Sequence, residues 1–514
     1  MTKHTCGTIF ISFLVGATNT LSFSPFSYQL TPFFSIGILY LLLYREKNIK
    51  ACIMIGISYG LGWFIFGLHW LHFTISTYGA MSFILASVTL FLLCLYLSLF
   101  PALSSVIFHY YKGYALSPFF FASIWFITES LRAYFLGGFP WISLGYSQTD
   151  GFLKPWFPWI GEHGISFLLA LLSCLLVHFS LMLYSDGKYS RVSIFSILSL
   201  LISTLVLWKT NSQEWYYSGK SMPISIVQGN VPQSDRWIDS NVGSILGKYS
   251  NLTSGVSDNR VVVWPEAAIP ILESQAQPFI TKTNDAANKT NSNIITGIID
   301  YRNGQFYNSM IVIGNNKLSH KGYDYESTNR YHKRKLVPIG EFIPFYDKLQ
   351  GMVPLLDLPF NSIQPGKAKQ SNLTALNFTI LPAICFEIAF SHLIRANLDT
   401  ETDVIVTISN DDWFGPSIGP WQHFQIARTR AIEYGVPLIR SANSGISAVI
   451  APDGSVVDRL PQFQEAVLTA EVKLTSGSTV YRRIGDAPIQ LISLLLLLSP
   501  WFLKRLQRLQ ASLN

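Results

Sequence analysis

The chain is poor in charge. Only 13% of its 514 residues are Asp, Glu, Lys or Arg, where soluble proteins carry about 25%. A wholly water-exposed surface is thereby excluded, and much of the chain is expected to face lipid. Cysteine is scarce too, at five residues: Cys6, Cys52, Cys94, Cys174 and Cys385. They form no CxxC pair and no Cys/His cluster, HExxH is absent, and no disulfide framework is discernible, so no metal is expected. Internal repeats and low-complexity tracts are lacking. The net charge of +7 is not gathered into one basic patch, and no nucleic-acid partner is expected. The basic residues punctuate apolar segments instead.

Those segments dominate what is present. Hydrophobic residues make up 49% of the chain and aromatics 14%. Runs near 7–23, 29–44, 51–73, 81–108, 114–135, 163–184, 192–208 and 487–503 approach the ~20 residues needed to cross ~30 Å of hydrocarbon. Residues 1–23 can also be read as a cleaved signal peptide, but another apolar run follows at once and the charge pattern needs the first span. With Lys3 placed in the cytoplasm and the spans alternating, the inner side holds Lys3, Arg45, Lys47, Lys50, Lys112, Lys188, Arg191, Lys504, Arg505 and Arg508. The outer side holds Lys154, Lys209, Arg482 and Arg483, the last two being mild counter-evidence beside the final span. Positive charge thus favours the inside, as the topology rule requires. The expected organisation is seven transmembrane helices over 1–209, an extracytoplasmic domain over 210–485, and an eighth helix with a cytoplasmic tail over 486–514. Both ends are expected in the cytoplasm.

The long insert reads as α/β. "ISIVQGN", "RVVVWPE", "NIITGIID", "SMIVIGN", "FTILPAICFE", "DVIVTISN" and "GISAVIAPDG" look like strands, and "WQHFQIARTRAIEYG" like a helix. Several are continuous apolar runs, as in strands covered on both faces. In "LPAICFEIAF" period-two alternation puts Cys385 and Glu387 on one face. Two more stretches carry unusual polar groups. "VVVWPEAAIP" ends an apolar strand at Glu266, and "RYHKRKLVPIGEFIP" offers a cation cluster followed by Glu341. A thiol becomes a good nucleophile when a carboxylate removes its proton, and a lysine stabilises the thiolate and a developing oxyanion. Each group also has an ordinary reading: a packed cysteine, a solvated turn glutamate, a solvated basic face. Spacing does not bring them together.

Taken in order, "WPEAAIP", "YHKRKLVPIGE" and "ICFE" resemble the nitrilase superfamily, whose hallmark is a Glu–Lys–Cys triad. With "FPWISLGYSQ", "VQGNVPQSDRW", "SNDDWFG" and "RTRAIEYGVPLIRSANSGISAVIAPDG" added, the chain more closely resembles the apolipoprotein N-acyltransferase family over nearly its whole length. The resemblance implies a membrane helix bundle carrying a nitrilase-like αββα sandwich in the periplasm, at a bacterial inner membrane. By motif position it implies Glu266 as base, Lys333 rather than Lys335 as the lysine, and Cys385 as nucleophile. Glu341 and Glu387 would support the site, and Trp237 would line the substrate pocket. The implied reaction moves an acyl chain from a phospholipid, phosphatidylethanolamine above all, through a thioester on Cys385. The acceptor is the α-amino group of a diacylglyceryl-cysteine lipoprotein, in the last step of lipoprotein maturation. No cofactor is implied, and a monomer is expected. Ala267 stands where Ser or Thr is common, Phe386 where Tyr is usual, and Asp412 at a variable position.

Residues 344–362, with Met352, Val353, Leu355, Leu356 and Leu358, form a long apolar loop after Glu341; a lipid-dipping lid and simple packing both fit it. Glu129 and Arg132 lie three apart within an apolar run, which suits either a structural ion pair or a headgroup contact. Two further functions compete with acyl transfer. A membrane-tethered amidase would keep the triad and use water, and a transporter would tolerate loss of Cys385.

Overall fold

A computed structural model describes residues 3–79, 81–183, 190–210, 215–256, 258–314, 323–338, 340–342 and 363–513. The chain divides into two units, one of residues 1–72, 83–213 and 483–514 and the other of residues 73–82 and 214–482.

The first unit is helical. Lys3–Thr18, Thr31–Arg45, Ile49–Gly67, Phe83–Tyr111, Ser117–Tyr134, Phe157–Leu183, Ser190–Thr210 and Ala487–Leu513 overlap the eight apolar runs. Six of the helical segments are long and apolar enough to cross a membrane, while Thr31–Arg45 and Ala487–Phe502 are shorter apolar helices. Small residues let these helices approach closely, the usual device where lipid offers no hydrophobic drive to association. A Cβ on Gly62 would meet the Phe13 carbonyl at 2.0 Å, and one on Gly56 would meet Ala102 Cα at 2.6 Å.

The Glu129–Arg132 pair is buried, with Arg132 Nη2 3.6 Å from Glu129 Oε1. Arg132 Nη1 donates to the carbonyls of Phe139 and Trp141 at 2.6 and 2.9 Å, and Glu129 Oε1 accepts from Leu144 N at 3.0 Å. The pair therefore satisfies the irregular backbone of "FPWISLGYSQ", where unmatched polar groups in an apolar setting would be costly. Of the two readings of this pair, the geometry favours the structural one.

One expected span is corrected. The run 51–73 does not continue as one helix: it ends at Gly67, and Leu71–Thr77 is a separate short helix. Phe73 and its successors belong to the second unit. Thr74 Oγ1 donates to the Trp413 carbonyl at 2.8 Å, and the rings of Tyr78 and Trp413 meet edge to face at 4.8 Å. Hydropathy alone cannot tell a lipid-facing apolar residue from one covered by protein.

The second unit is built on two sheets. Its strands among the described residues are β1 (Trp215–Gln228), β2 (Val261–Val263), β3 (Ile269–Leu272), β4 (Asn293–Arg302), β5 (Gln305–Ile313), β6 (Arg330–His332), β7 (Leu373–Ala375), β8 (Phe378–Ile384), β9 (Val404–Ser409), β10 (Leu438–Ala442), β11 (Ala448–Ile450), β12 (Val456–Arg459) and β13 (Ala466–Gly477). The first sheet runs β13-β1-β2-β4-β5-β6 with β3 beside β4, and the second runs β12-β11-β10-β9-β8-β7. Strand alternation sorts the side chains. Ile224, Ile226, Val263 and Ile295 pack against Ile384, Val406, Ile408 and Ile439 between the sheets. Val227, Val262 and Ile294 point the other way, onto Ile245, Tyr249 and Ile280 of helices Asp239–Ser254 and Gln277–Lys289. Helices Ser391–Asn397 and Gly419–Tyr434 pack beside the second sheet, giving the αββα order that was expected.

The first and last strands of the unit are neighbours. β1 and β13 pair antiparallel from Trp215↔Gly477 to Gln228↔Ala466. The β13 sequence, "AVLTAEVKLTSG", alternates buried and exposed residues and carries Glu471 and Lys473, so it lacks the continuous apolar signal of its neighbours.

Candidate active site

Glu266 follows β2 in the turn after Trp264 and Pro265. Ala267 next to it has φ +47°, a left-handed conformation. The turn is held from beneath by the buried Arg236, whose Nη1 donates to the carbonyls of Glu266 and Ala267 at 2.7 and 2.9 Å. Gly297 of β4 makes room for it: a Cβ there would meet Ala267 N at 2.5 Å and Glu266 Cα at 2.7 Å.

Lys333 lies just past β6 and is 1% exposed. Its Nζ donates to Glu266 Oε1 at 3.1 Å and to Glu341 Oε1 at 2.9 Å. Asn308 of β5 repeats the same bridge, its Nδ2 reaching both oxygens at 2.8 Å. Two donors thus hold two carboxylates apart at fixed spacing. Glu266 Oε2 accepts from Asn410 N at 3.0 Å, and Glu341 Oε2 from Val337 N at 2.8 Å. Burial alone would drive the Lys333 ammonium toward neutrality, but Glu266 and Glu341 outweigh it and raise its pKa well above the ordinary lysine value. Lys335, two residues on, lies apart from this set, with its Nζ 4.6 Å above the Phe390 ring.

Cys385 does not continue the strand. β8 ends at Ile384, and Cys385–Ala389 is a tight 3-10 turn whose first residue has φ +55°. The period-two placement of Cys385 and Glu387 on one strand face is therefore overturned. The cause is Glu387 itself, whose Oε2 accepts from Ile384 N at 2.8 Å and turns the chain. Its Oε1 accepts from Arg334 N at 2.6 Å, Lys335 N at 2.9 Å and Tyr331 OH at 2.9 Å. Glu387 thereby joins the lysine segment to the cysteine turn. The Cys385 thiol is pushed up by burial and further by Glu266, with Lys333 opposing. It rests as a thiol within electrostatic reach of a carboxylate that can take its proton and an ammonium that can stabilise what remains.

Glu387→Gln should be damaging despite its similar shape. An amide NH₂ turned toward Ile384 N sets donor against donor, and turned the other way it meets three donors. A stability loss of roughly 1–3 kcal/mol is expected from the unsatisfied groups, together with a changed reactivity of the Cys385 thiol. A thermal melt paired with the rate of thiol alkylation checks both.

Trp237 belongs to an apolar cluster. It is half-buried against Ile299, Leu336 and Ile363, with Phe306 and Phe342 in the same cluster. The segment 344–362, expected as a lid or a packed loop, lies outside the described residues. Sequence reasoning missed Arg236, Asn308 and Asn410. Arg236 and Asn410 stand inside the quoted motifs "QSDRW" and "SNDDWFG", but a polar residue in a motif does not announce which backbone or side chain it will meet.

A carbon-nitrogen hydrolase family model matches residues 224–482, and a model of the apolipoprotein N-acyltransferase N-terminal domain matches residues 15–175. Among curated relatives, an apolipoprotein N-acyltransferase of Photobacterium profundum is 38% identical, covering 95% of this chain and 93% of its own. That of Shewanella oneidensis is also 38% identical, over 95% and 94%, and that of Vibrio parahaemolyticus 37% identical, over 96% of both chains.

Proposed function

The chain belongs to the apolipoprotein N-acyltransferase family, and on that footing we propose how its own residues carry the reaction. The protein is an acyltransferase of lipoprotein maturation, with a carbon-nitrogen hydrolase fold joined to apolar helices. The observation that supports a Glu266–Lys333–Cys385 triad most strongly is the placement of a buried lysine in hydrogen-bond contact with Glu266 while its charge also acts on the Cys385 thiol.

In the first half-reaction Glu266 accepts the Sγ proton, and the thiolate attacks the acyl carbonyl carbon of a phospholipid ester. Negative charge moves to the carbonyl oxygen beside the Lys333 ammonium. Collapse breaks the ester C–O bond, and the proton held by Glu266 leaves with the lysophospholipid alkoxide. A thioester remains on Cys385. In the second half the α-amino nitrogen of the lipoprotein attacks that thioester, Glu266 takes the amine proton, and the thiolate departs and is reprotonated. Glu341 holds Lys333, Glu387 shapes the cysteine turn, and Trp237 lines the acyl pocket.

Phosphatidylethanolamine is the proposed donor and a diacylglyceryl lipoprotein the acceptor. Both are lipids, and withdrawing each CH₂ into water costs ~0.8 kcal/mol, which accounts for a hydrolase fold tied to apolar helices on both sides in sequence. The distribution of basic residues supports a bacterial inner-membrane protein with its catalytic unit in the periplasm and both ends in the cytoplasm. It is proposed to act as a monomer.

The test uses purified full-length enzyme, phosphatidylethanolamine in mixed micelles, and a diacylglyceryl-cysteine peptide with a free amino group. N-acylated peptide and lysophospholipid should form in equal amounts, with an N-acetylated peptide inert. Release of free fatty acid to water, with the free-amino peptide unmodified, would replace acyl transfer with hydrolysis. Faster turnover with phosphatidylglycerol would overturn the donor assignment alone.

A further inference from the structure

Behind Cys385, on the side away from Lys333 and Glu341 in the hydrogen-bond pattern, lies a second polar cluster that the reaction above does not use. It consists of Ser409 at the end of β9, Asp411, His423 on helix Gly419–Tyr434, and Arg440 on β10. Ser409, His423 and Arg440 are fully buried and Asp411 is 1% exposed.

His423 Nδ1 has two neighbours, Arg440 Nη2 at 3.0 Å and Asp411 Oδ1 at 3.1 Å. Arg440 Nη2 has two hydrogens and two partners, Asp411 Oδ2 at 2.6 Å and His423 Nδ1 at 3.0 Å. The guanidinium only donates and the carboxylate only accepts, so the contacts at Nδ1 do not fix the tautomer, and the deciding nitrogen is Nε2. That nitrogen faces the carbonyl oxygen of Cys385 at 3.1 Å. A carbonyl only accepts, so Nε2 carries a hydrogen, and in the neutral ring Nδ1 is left to accept from Arg440. Burial, aided by the Arg440 charge, lowers the His423 pKa and keeps the ring neutral. Asp411 completes the arrangement. Burial would raise its carboxyl, but the Arg440 guanidinium outweighs it and holds it well below the usual range. Its Oδ1 takes the single hydroxyl hydrogen of Ser409 at 2.5 Å, leaving the Ser409 oxygen 3.5 Å from Cys385 Sγ.

The nucleophile is thus met at two points from this side: its carbonyl accepts from His423, and its sulfur lies 3.5 Å from the Ser409 hydroxyl oxygen. These contacts matter because Cys385 sits at φ +55°, where residues other than glycine are sparsely found and persist only when their surroundings over-determine them. Glu387 fixes the Ala383–Ile384 peptide, one unit before the cysteine's own. Among the described side chains of the cluster, His423 is the one that holds the peptide after Cys385. Since that peptide unit is planar, fixing its C=O also fixes the direction of the Phe386 N–H at its other end.

We propose that His423 is a positioning residue for the acyl-transfer nucleophile, holding the Cys385 carbonyl through Nε2–H, with Arg440 donating to its Nδ1 and Asp411 holding both Arg440 and Ser409 in place. This rests on Cys385 being the nucleophile.

The experiment measures the rate of acyl-adduct formation on Cys385 against phosphatidylethanolamine concentration, by intact-protein mass spectrometry of full-length enzyme. His423→Phe keeps the ring volume and loses the donor. Its limiting acylation rate should fall ~10²-fold, the scale of a misplaced reacting group, with the half-saturating lipid concentration unchanged. His423→Gln can place an amide N–H where Nε2–H stood and should recover most of that loss. A wild-type rate in His423→Phe overturns the proposal. So does a raised half-saturating concentration at an intact limiting rate, or folded Phe and Gln variants that are equally slow, since the ring's bulk and not its hydrogen bond would then be at work. If His423→Phe does not accumulate, His423→Gln decides: an active variant supports the proposal, and a folded inactive one overturns it. Failure of the wild-type enzyme itself to form an adduct would instead refute the nucleophile assignment.

Discussion

Cys385→Ala should abolish acyl transfer, with activity falling on the order of 10⁴-fold or more, as when a covalent nucleophile is removed from a coupled triad. The variant should remain folded. Cys385 is packed between the sheets with Ile384 and Ile408, and deleting one sulfur leaves only a small cavity. Intact-protein mass spectrometry is the direct measurement. Wild-type enzyme given phospholipid should gain the mass of a fatty acyl group, and neutral hydroxylamine should remove it because thioesters are labile to that reagent while amides are not. The alanine variant should show no such increment. An adduct that survives in Cys385→Ala would place the covalent step elsewhere. Hydroxylamine resistance of the wild-type adduct would argue for an oxygen or nitrogen linkage.

Lys333→Met should cost both catalysis and stability, and a second substitution should separate the two. Methionine fills the space of the lysine stem, but Glu266 and Glu341 are then left sharing Asn308 without the ammonium between them. Breaking a buried ion pair in this way destabilises by roughly 3–5 kcal/mol. The sign with pH follows from the raised Lys333 pKa. A lysine that holds its proton more tightly when folded contributes fully below the ordinary lysine pKa, and that contribution is lost only as pH rises through the folded value. The deficit of the variant should therefore be undiminished at neutral pH. Adding Glu341→Gln removes one of the two stranded carboxylates and should restore much of the stability. It should not restore acylation, because no cation then faces the developing oxyanion. Recovery of activity in the double variant would show that Lys333 serves the fold alone.

How much of this could be read in advance differs from residue to residue. Continuous apolar strands such as β4 and β9 announce themselves because both of their faces are covered. β13 does not, since half of its side chains meet water and its pattern resembles that of an amphipathic surface segment. Glu266, Lys333 and Cys385 stood out because each sits in a recognisable motif, and the structure gathers them around one buried ammonium. Asn308 had no such signal, although it doubles every contact that Lys333 makes with the two glutamates. His423, Asp411 and Arg440 were hidden for a related reason: a buried histidine, aspartate or arginine is informative only when its partner is known, and those partners come from separate strands and a helix. The turn at Cys385 misled because alternation assumes that a strand continues. A carboxylate two residues ahead captured the Ile384 amide and stopped it, an event set by hydrogen bonding and invisible to hydropathy.

The antiparallel pairing of β1 with β13 has a mechanical consequence. The chain enters the second unit at Trp215 and leaves it beyond Gly477, and these two residues are partners in the same ladder. Any lateral force that draws the helix before Trp215 away from the helix after Gly477 acts on that ladder from its open end. It would peel the hydrogen bonds apart singly, beginning at Trp215↔Gly477, where Tyr216 and Tyr217 are exposed and the register slips before Ser221. Met222, Ile224 and Ile226 lie further along the ladder within the inter-sheet core, so peeling meets its main resistance there.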